Sequence, residues 1–130
     1  MPIKLIKTSK DYVDSRGVIK AILDNEKNGI KSILYIESKK GNTRGEHYHK
    51  KDTHYVYCVI GKFRYSQSKA PFKKIESTIL KEGDLVFTPA QYWHSMEYLE
   101  DSIMLALATE PRSQNKYEHD TFRLKIHVKK

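Results

Sequence analysis

Short runs in which apolar and polar residues alternate, rich in β-branched and aromatic side chains, recur along nearly the whole chain. This period of two is the strongest constraint the sequence imposes. An alternating run has one face to bury as a strand and no coherent face to bury as a helix. It predicts strands over 3–7, 18–23, 32–37, 45–49, 54–60, 62–66, 74–80, 84–88, 94–98, 103–108 and 122–128. The breaks between them include Asp24-Asn25-Glu26-Lys27-Asn28-Gly29, Lys39-Lys40-Gly41-Asn42 and Lys81-Glu82-Gly83-Asp84, whose residues accept positive φ in turns. They are too short for the crossover helix of a parallel sheet, so an all-β antiparallel sandwich or barrel is expected. Residues 109–120, with Pro111, Ser113, Gln114 and Asn115, are expected to form a surface loop or a short helix.

At 130 residues the chain is expected to be a single domain over 1–130. A domain of that size buries roughly two-thirds of its unfolded surface and needs no disulfide or structural metal. Cys58 is the lone cysteine, which excludes an intrachain disulfide and a Cys-x-x-Cys motif. The charged N-terminus lacks the apolar core of a signal peptide, and no run approaches the ~20 apolar residues of a membrane span. A cytoplasmic protein, not embedded in a membrane, is therefore expected. Lys and Arg number 24 against 16 Asp and Glu, a net charge of +8 that points to an anionic partner. The basic residues are scattered and form no tail or long run, which weighs against nucleic acid.

Four of the six histidines fall in two clusters, Gly45-Glu46-His47-Tyr48-His49-Lys50-Lys51-Asp52-Thr53-His54 and Tyr92-Trp93-His94-Ser95-Met96. Residues i and i+2 of a strand share a face, so His47 and His49 are expected side by side. A hairpin between His49 and His54 brings a third imidazole beside them, and His94 can complete the group from a distant strand. In the strand 54–60, His54, Val56, Cys58 and Ile60 are expected inward and Tyr55, Tyr57 and Val59 outward. Such imidazoles suit Zn, Fe, Ni or Cu. A divalent metal on His47, His49, His54 and His94 is expected, zinc first, with iron or nickel as alternatives. There is no Gly-x-Gly-x-x-Gly fingerprint or phosphate-binding loop, and no nicotinamide is expected.

Gly41, five residues, His47-x-His49, four residues, His54, six residues and Gly61 resemble the first motif of the cupin superfamily, with His54 where cupins commonly have Glu. Gly83, five residues, Pro89 and then His94 resemble the second, with Gln91 replacing its usual Gly and Tyr98 its usual Asn. The resemblance implies a double-stranded β-helix, a jelly-roll barrel. Arg44-Gly45-Glu46-His47-Tyr48-His49-Lys50 is similar to a stretch of the nucleotide-linked 4-keto-6-deoxyhexose 3,4-ketoisomerases, and to one in the cupin domain of bifunctional capsular-polysaccharide enzymes. Asp14-Ser15-Arg16-Gly17 is similar to an Asp-x-Arg-Gly near the ketoisomerase N-terminus. The likeness covers most of residues 11–108.

What the resemblance implies is an isomerase or epimerase of a nucleotide-linked 4-keto hexose, in cell-surface polysaccharide or glycan sugar biosynthesis, acting as a homodimer. An apolar outward face on the strand 54–60 would support the dimer independently. The keto group acidifies C3–H, and a base makes an enediolate that is reprotonated at C3 (epimerisation) or C4 (ketoisomerisation). Without a metal, His47 or His49 is the natural base, because an imidazole titrates near working pH. With one, the imidazoles become ligands and the base role shifts to Tyr35, Glu46 or another group. Tyr35 is the expected proton donor or oxyanion partner. The ketoisomerases, as the resemblance implies, need no metal and have no histidine at the position of His54, whereas the capsular cupin domain is similar to zinc-holding cupins. Arg16, Arg44 and Arg64 are the candidates for the diphosphate, since a planar guanidinium meets two phosphate oxygens at once. Trp93 is a candidate platform for the nucleobase. Two other classes stay open: a metal-dependent cupin oxygenase or isomerase of a small metabolite, and a non-catalytic sugar-binding cupin.

Overall fold

The computed structural model describes residues 2–8 and 11–127. Among them the alternating runs become β1 (Leu5–Lys7), β2 (Tyr12–Asp14), β3 (Gly17–Ile19), β4 (Ser32–Ser38), β5 (Thr43–His49), β6 (His54–Ile60), β7 (Lys62–Lys69), β8 (Glu76–Lys81), β9 (Asp84–Thr88), β10 (Tyr92–Tyr98), β11 (Ser102–Ala108) and β12 (Thr121–Arg123). A short helix, α1 (Gln114–His119), lies between β11 and β12. One sheet has the order β1-β9-β6-β11-β4, a second β12-β5-β10-β7-β8, and β2-β3 form a separate hairpin. The pairings are antiparallel.

The inner faces of the two sheets meet in a core built of Val56, Cys58, Val86 and Met104 from the first and Phe63, Tyr65, Leu80, Met96 and Tyr98 from the second. This is the face-to-face packing of a jelly roll. Large side chains fill one end of the space between the sheets. Towards the other end the inward residues include Ser32, Ala106, Ala108 and histidines, too small or too polar to close it, and a cavity remains.

Three expectations are corrected. The strand over 18–23 is instead the hairpin β2–β3, because Gly17, at φ +136°, turns the chain so that 12–14 pair with 17–19. The last strand stops at Arg123. After Leu124 N–H reaches the Glu46 carbonyl, an irregularity in β5 ends the ladder, and residue 128 lies outside the described residues. Ile60 does not face inward and is 52% exposed. A register shift between Ile103 and Met104 puts Cys58 and Ile60 opposite consecutive residues of β11, which flips Ile60 out.

The outward aromatic face of β6 is not the exposed surface expected. Tyr57 is buried, and the Tyr55 hydroxyl is held by Asn28 and Glu26 of the chain's own 24–29 turn. Exposed apolar residues lie instead on the hairpin, at Tyr12, Val13, Val18 and Ile19, and on the outer face of β4, at Ile33 and Tyr35.

Candidate active site

The site begins with a defect in β5. Gly45 (φ +87°) and Glu46 (φ +57°) break its regular pleat, and the register with β10 shifts so that His94 pairs with His47 while Ser95 pairs with Gly45. A β-carbon on Gly45 would sit 2.8 Å from the His94 carbonyl oxygen, so only glycine allows the two strands this close. The bulge thereby sets His47 opposite His94.

Four imidazoles converge here. Ring centres are 4.7 Å apart for His47 and His94, 4.8 Å for His47 and His49, 4.8 Å for His54 and His94, and 5.4 Å for His49 and His94. They line a cavity of about 220 Å³ whose walls include Leu34, Ile36, Val56, Met96 and Met104, and whose lining also includes Arg44, Glu110, Arg112 and Tyr117. His49, His54 and His94 are buried and His47 is half-buried.

Backbone and carboxylate partners orient three of the rings. His49 Nδ1 lies 2.9 Å from the Asp120 carbonyl oxygen, His94 Nδ1 3.2 Å from that of Tyr92, and His54 Nδ1 3.4 Å from an Asp52 carboxylate oxygen. With Nδ1 engaged, each presents Nε2. Burial, reinforced by the imidazoles of His49 and His54, pushes His47 down to about 3. Burial and the other three imidazoles hold His94 well below the ordinary histidine value. Burial also lowers His49, against the opposing pull of the Asp120 carbonyl. At neutral pH these three rings are uncharged. Burial would raise Asp52, but its hydrogen bonds with His54 and the Thr109 N–H and the neighbouring imidazoles of His54 and His49 together keep that carboxyl below its usual range.

The donor set suits a divalent ion in kind. His47, His49 and His94 offer nitrogens all within 4.8 Å of one another, and His49, Asp52 and His54 form a second such group. The four histidines expected as one ligand set fall in two overlapping groups, with His49 common to both. A tetrahedral ion at about 2.0–2.1 Å from each nitrogen holds its ligands roughly 3.3 Å apart, a spacing that falls inside that 4.8 Å limit.

Several expected residues stand elsewhere. Tyr35 is on the outer face of β4, 61% exposed with its hydroxyl on Glu37, because alternation gives the cavity Leu34 and Ile36 instead. Arg16 is on the exposed hairpin, paired with Asp14 at 2.6 Å. Arg64 is paired with Glu97 at 2.6 Å; alternation along β7 gives the core Phe63 and Tyr65 and turns Arg64 to the other face. Trp93 is fully buried on the face of β10 opposite His94, its indole N–H donating to the Leu124 carbonyl, and so is a packing residue. Arg44 does reach the cavity, where it donates to the Ser38 hydroxyl and the Glu37 carbonyl.

Sequence reasoning missed Asp52, Glu110, Arg112, Tyr117 and Asp120, which all line the cavity. Four of them lie in the segment 109–120, whose irregular composition gives no period to read. The one available signal was the Asp52-x-His54 spacing inside the first histidine cluster.

A family model described as FdtA: WxcM-like, C-terminal, matches residues 1–129. The chain belongs to this family. No curated protein sequence matches this FdtA-family chain. Among solved structures it is similar to a 3,4-ketoisomerase from Helicobacter canadensis, with 24% identity and a TM-score of 0.79 over 95% of this chain and 91% of that one. It is also similar to a double mutant of the QdtA 3,4-ketoisomerase from Thermoanaerobacterium thermosaccharolyticum in complex with TDP, with 26% identity and a TM-score of 0.72 over 93% and 86% of the two chains. The rmlC epimerase of Mycobacterium tuberculosis shares the fold at 18% identity and a TM-score of 0.78, and here the match covers 92% of this chain and 66% of that one.

Proposed function

We propose that this FdtA-family protein is a ketoisomerase or epimerase of a nucleotide-diphosphate-linked 4-keto hexose. The observation that carries the reading is the convergence of His47, His49, His54 and His94 in one cavity. Its volume of about 220 Å³ is below the roughly 300–1,000 Å³ of drug-sized ligand sites, as suits a single sugar ring with the nucleotide outside.

His49 is the base. With Nδ1–H donated to the Asp120 carbonyl, its Nε2 lone pair takes the C3 proton that the 4-keto group has acidified. The enediolate that forms carries its charge on oxygen, where the neutral imidazole of His47 donates a hydrogen bond. Returning the proton to C4, while the C3 hydroxyl proton passes to O4, yields the 3-keto isomer. Returning a proton to the opposite face of C3 yields the epimer. Either way the composition is unchanged and no oxidant takes part. We place the enzyme in the cytoplasm, as a homodimer that supplies sugars for cell-surface glycans.

A metal-assisted version is favoured by the three nitrogens of His47, His49 and His94 within 4.8 Å of one another. Zinc there would supply Lewis-acid polarisation of the keto oxygen. Elemental analysis of untagged protein separates the two: about one ion per chain, lost in His94→Gln, supports the metal version, and none supports the metal-free one.

The function itself is tested by incubating the protein with TDP-4-keto-6-deoxyglucose in deuterium oxide. A C3 epimer that carries deuterium at C3, or a 3-keto isomer whose new C4 hydrogen comes from C3 or from solvent, accumulates, while His49→Asn lowers its rate by about 10² to 10⁴-fold. A wild-type protein that forms no keto isomer and no C3 epimer, and exchanges no ring proton with solvent, on this and other nucleotide-linked 4-keto hexoses, would refute it.

A further inference from the structure

Arg112 and Tyr117 belong to neither histidine motif, yet both line the cavity. They sit on the strap that runs from β11 to β12, and both ends of it are fastened. The Asp52 carboxylate accepts from the backbone N–H groups of Thr109 (3.1 Å) and Glu110 (3.3 Å). The Asp120 carboxylate accepts from those of Lys50, Lys51 and Asp52 at 2.9, 3.0 and 2.9 Å.

Between these anchors the Tyr117 ring centre stands 5.6 Å from that of His49 and 6.3 Å from that of His47. The Arg112 guanidinium lies over that ring, 3.7 Å from its centre. The order from the imidazoles outward is therefore phenol, then guanidinium, with Arg112 exposed. A guanidinium stacked on an aromatic face keeps its in-plane N–H donors available, and those match two phosphate oxygens at once.

The substrate's own geometry fits this order. In a hexose ring C1, which carries the diphosphate, lies across from C4, so a sugar with its C3–C4 edge at the imidazoles points its diphosphate away from them. We propose that Arg112, held flat on Tyr117, receives the substrate's diphosphate and thereby fixes which edge of the sugar meets His47 and His49. The proposal rests on the ketoisomerase or epimerase reading. The other candidate arginines have partners already: Arg16 has Asp14, Arg64 has Glu97, and Arg44 has Ser38 and the Glu37 carbonyl.

The test is calorimetric binding of thymidine, TDP, UDP and GDP to the wild type, Arg112→Gln, Arg112→Lys and Tyr117→Leu, together with turnover of TDP-4-keto-6-deoxyglucose. Arg112→Gln is expected to weaken nucleoside diphosphate binding about 10- to 100-fold, leave thymidine binding as it was, and raise KM more than it lowers kcat. Arg112→Lys, which keeps the charge but loses the fork, falls between, and Tyr117→Leu weakens diphosphate binding by removing the support. Wild-type diphosphate affinity in Arg112→Gln, with turnover present in the wild type, overturns the assignment of Arg112 and leaves the proposed function standing. A wild type that binds no nucleoside diphosphate and turns over no nucleotide-linked 4-keto hexose overturns both.

Discussion

Gly45 sets His47 opposite His94, so the site depends on the residue with the smallest side chain near it. Gly45→Ala introduces a β-carbon 2.8 Å from the His94 carbonyl oxygen at a φ of +87°. The expected cost is about 1–3 kcal/mol of stability, read from urea unfolding, together with loss of turnover as β5 and β10 are pushed apart. Wild-type stability in this variant would contradict the described bulge. The histidines make a second prediction, for protein kept in chelator. Above pH 6.5 the rings of His47, His49 and His94 are neutral in both the folded and the unfolded chain, so they contribute no pH dependence. Below it the unfolded chain takes up protons that the buried rings refuse, and for His47 this continues to about pH 3. Stability should fall as pH drops from 6.5 toward 3, by up to about 1.4 kcal/mol per pH unit for each ring, and His47→Gln should flatten the slope. A urea midpoint that does not move between pH 7 and pH 4.5 would contradict neutral, buried imidazoles.

Among the elements, the strands were legible because each has a face to bury: Val56 and Cys58 alternate with Tyr55 and Tyr57, and the run can satisfy that only as β6. The bulges were not legible. A shift of one residue at Glu46, or between Ile103 and Met104, leaves composition and period almost unchanged while redirecting every side chain beyond it, as Ile60 shows. The histidine cluster was readable because its spacing matches strand geometry. Tyr117 and Arg112 were not, because the strap takes its shape from hydrogen bonds between residues 57 to 70 positions apart in sequence. That dependence is testable. Asp120→Asn keeps the backbone carbonyl that faces His49 but removes the charge that gathers three N–H groups. It is expected to cost about 1.5–3 kcal/mol by denaturant unfolding and to lower kcat as the strap loosens. An unchanged kcat would separate the strap from the chemistry.

In the fold as a whole, six of the nine large apolar side chains exposed among the described residues lie in two places. Tyr12, Val13, Val18 and Ile19 project from a hairpin that pairs with neither large sheet, and Ile33 and Tyr35 project from β4, which ends the order of the first. Exposed apolar patches of this kind mark surfaces that another molecule covers. With a second copy as the occupant, the double variant Val13→Glu, Ile33→Glu should sediment as a monomer where the wild type sediments as a dimer. A monomeric wild type would refute the homodimer. The role expected of Tyr35 inverts here, since the face that keeps it out of its own cavity is the face a neighbouring chain would cover.

The clasp formed by Asp120 on Lys50, Lys51 and Asp52 also bears on how the protein is made. The residues it joins are 68 to 70 positions apart in sequence, and loops that long close late because their entropy is lost before any contact compensates for it. During synthesis the histidines of β5 leave the ribosome about seventy residues before the carbonyl that turns His49 toward the cavity. The barrel strands can thus assemble while the site stays unformed, and catalytic competence should lag behind the gain of β structure in a refolding experiment.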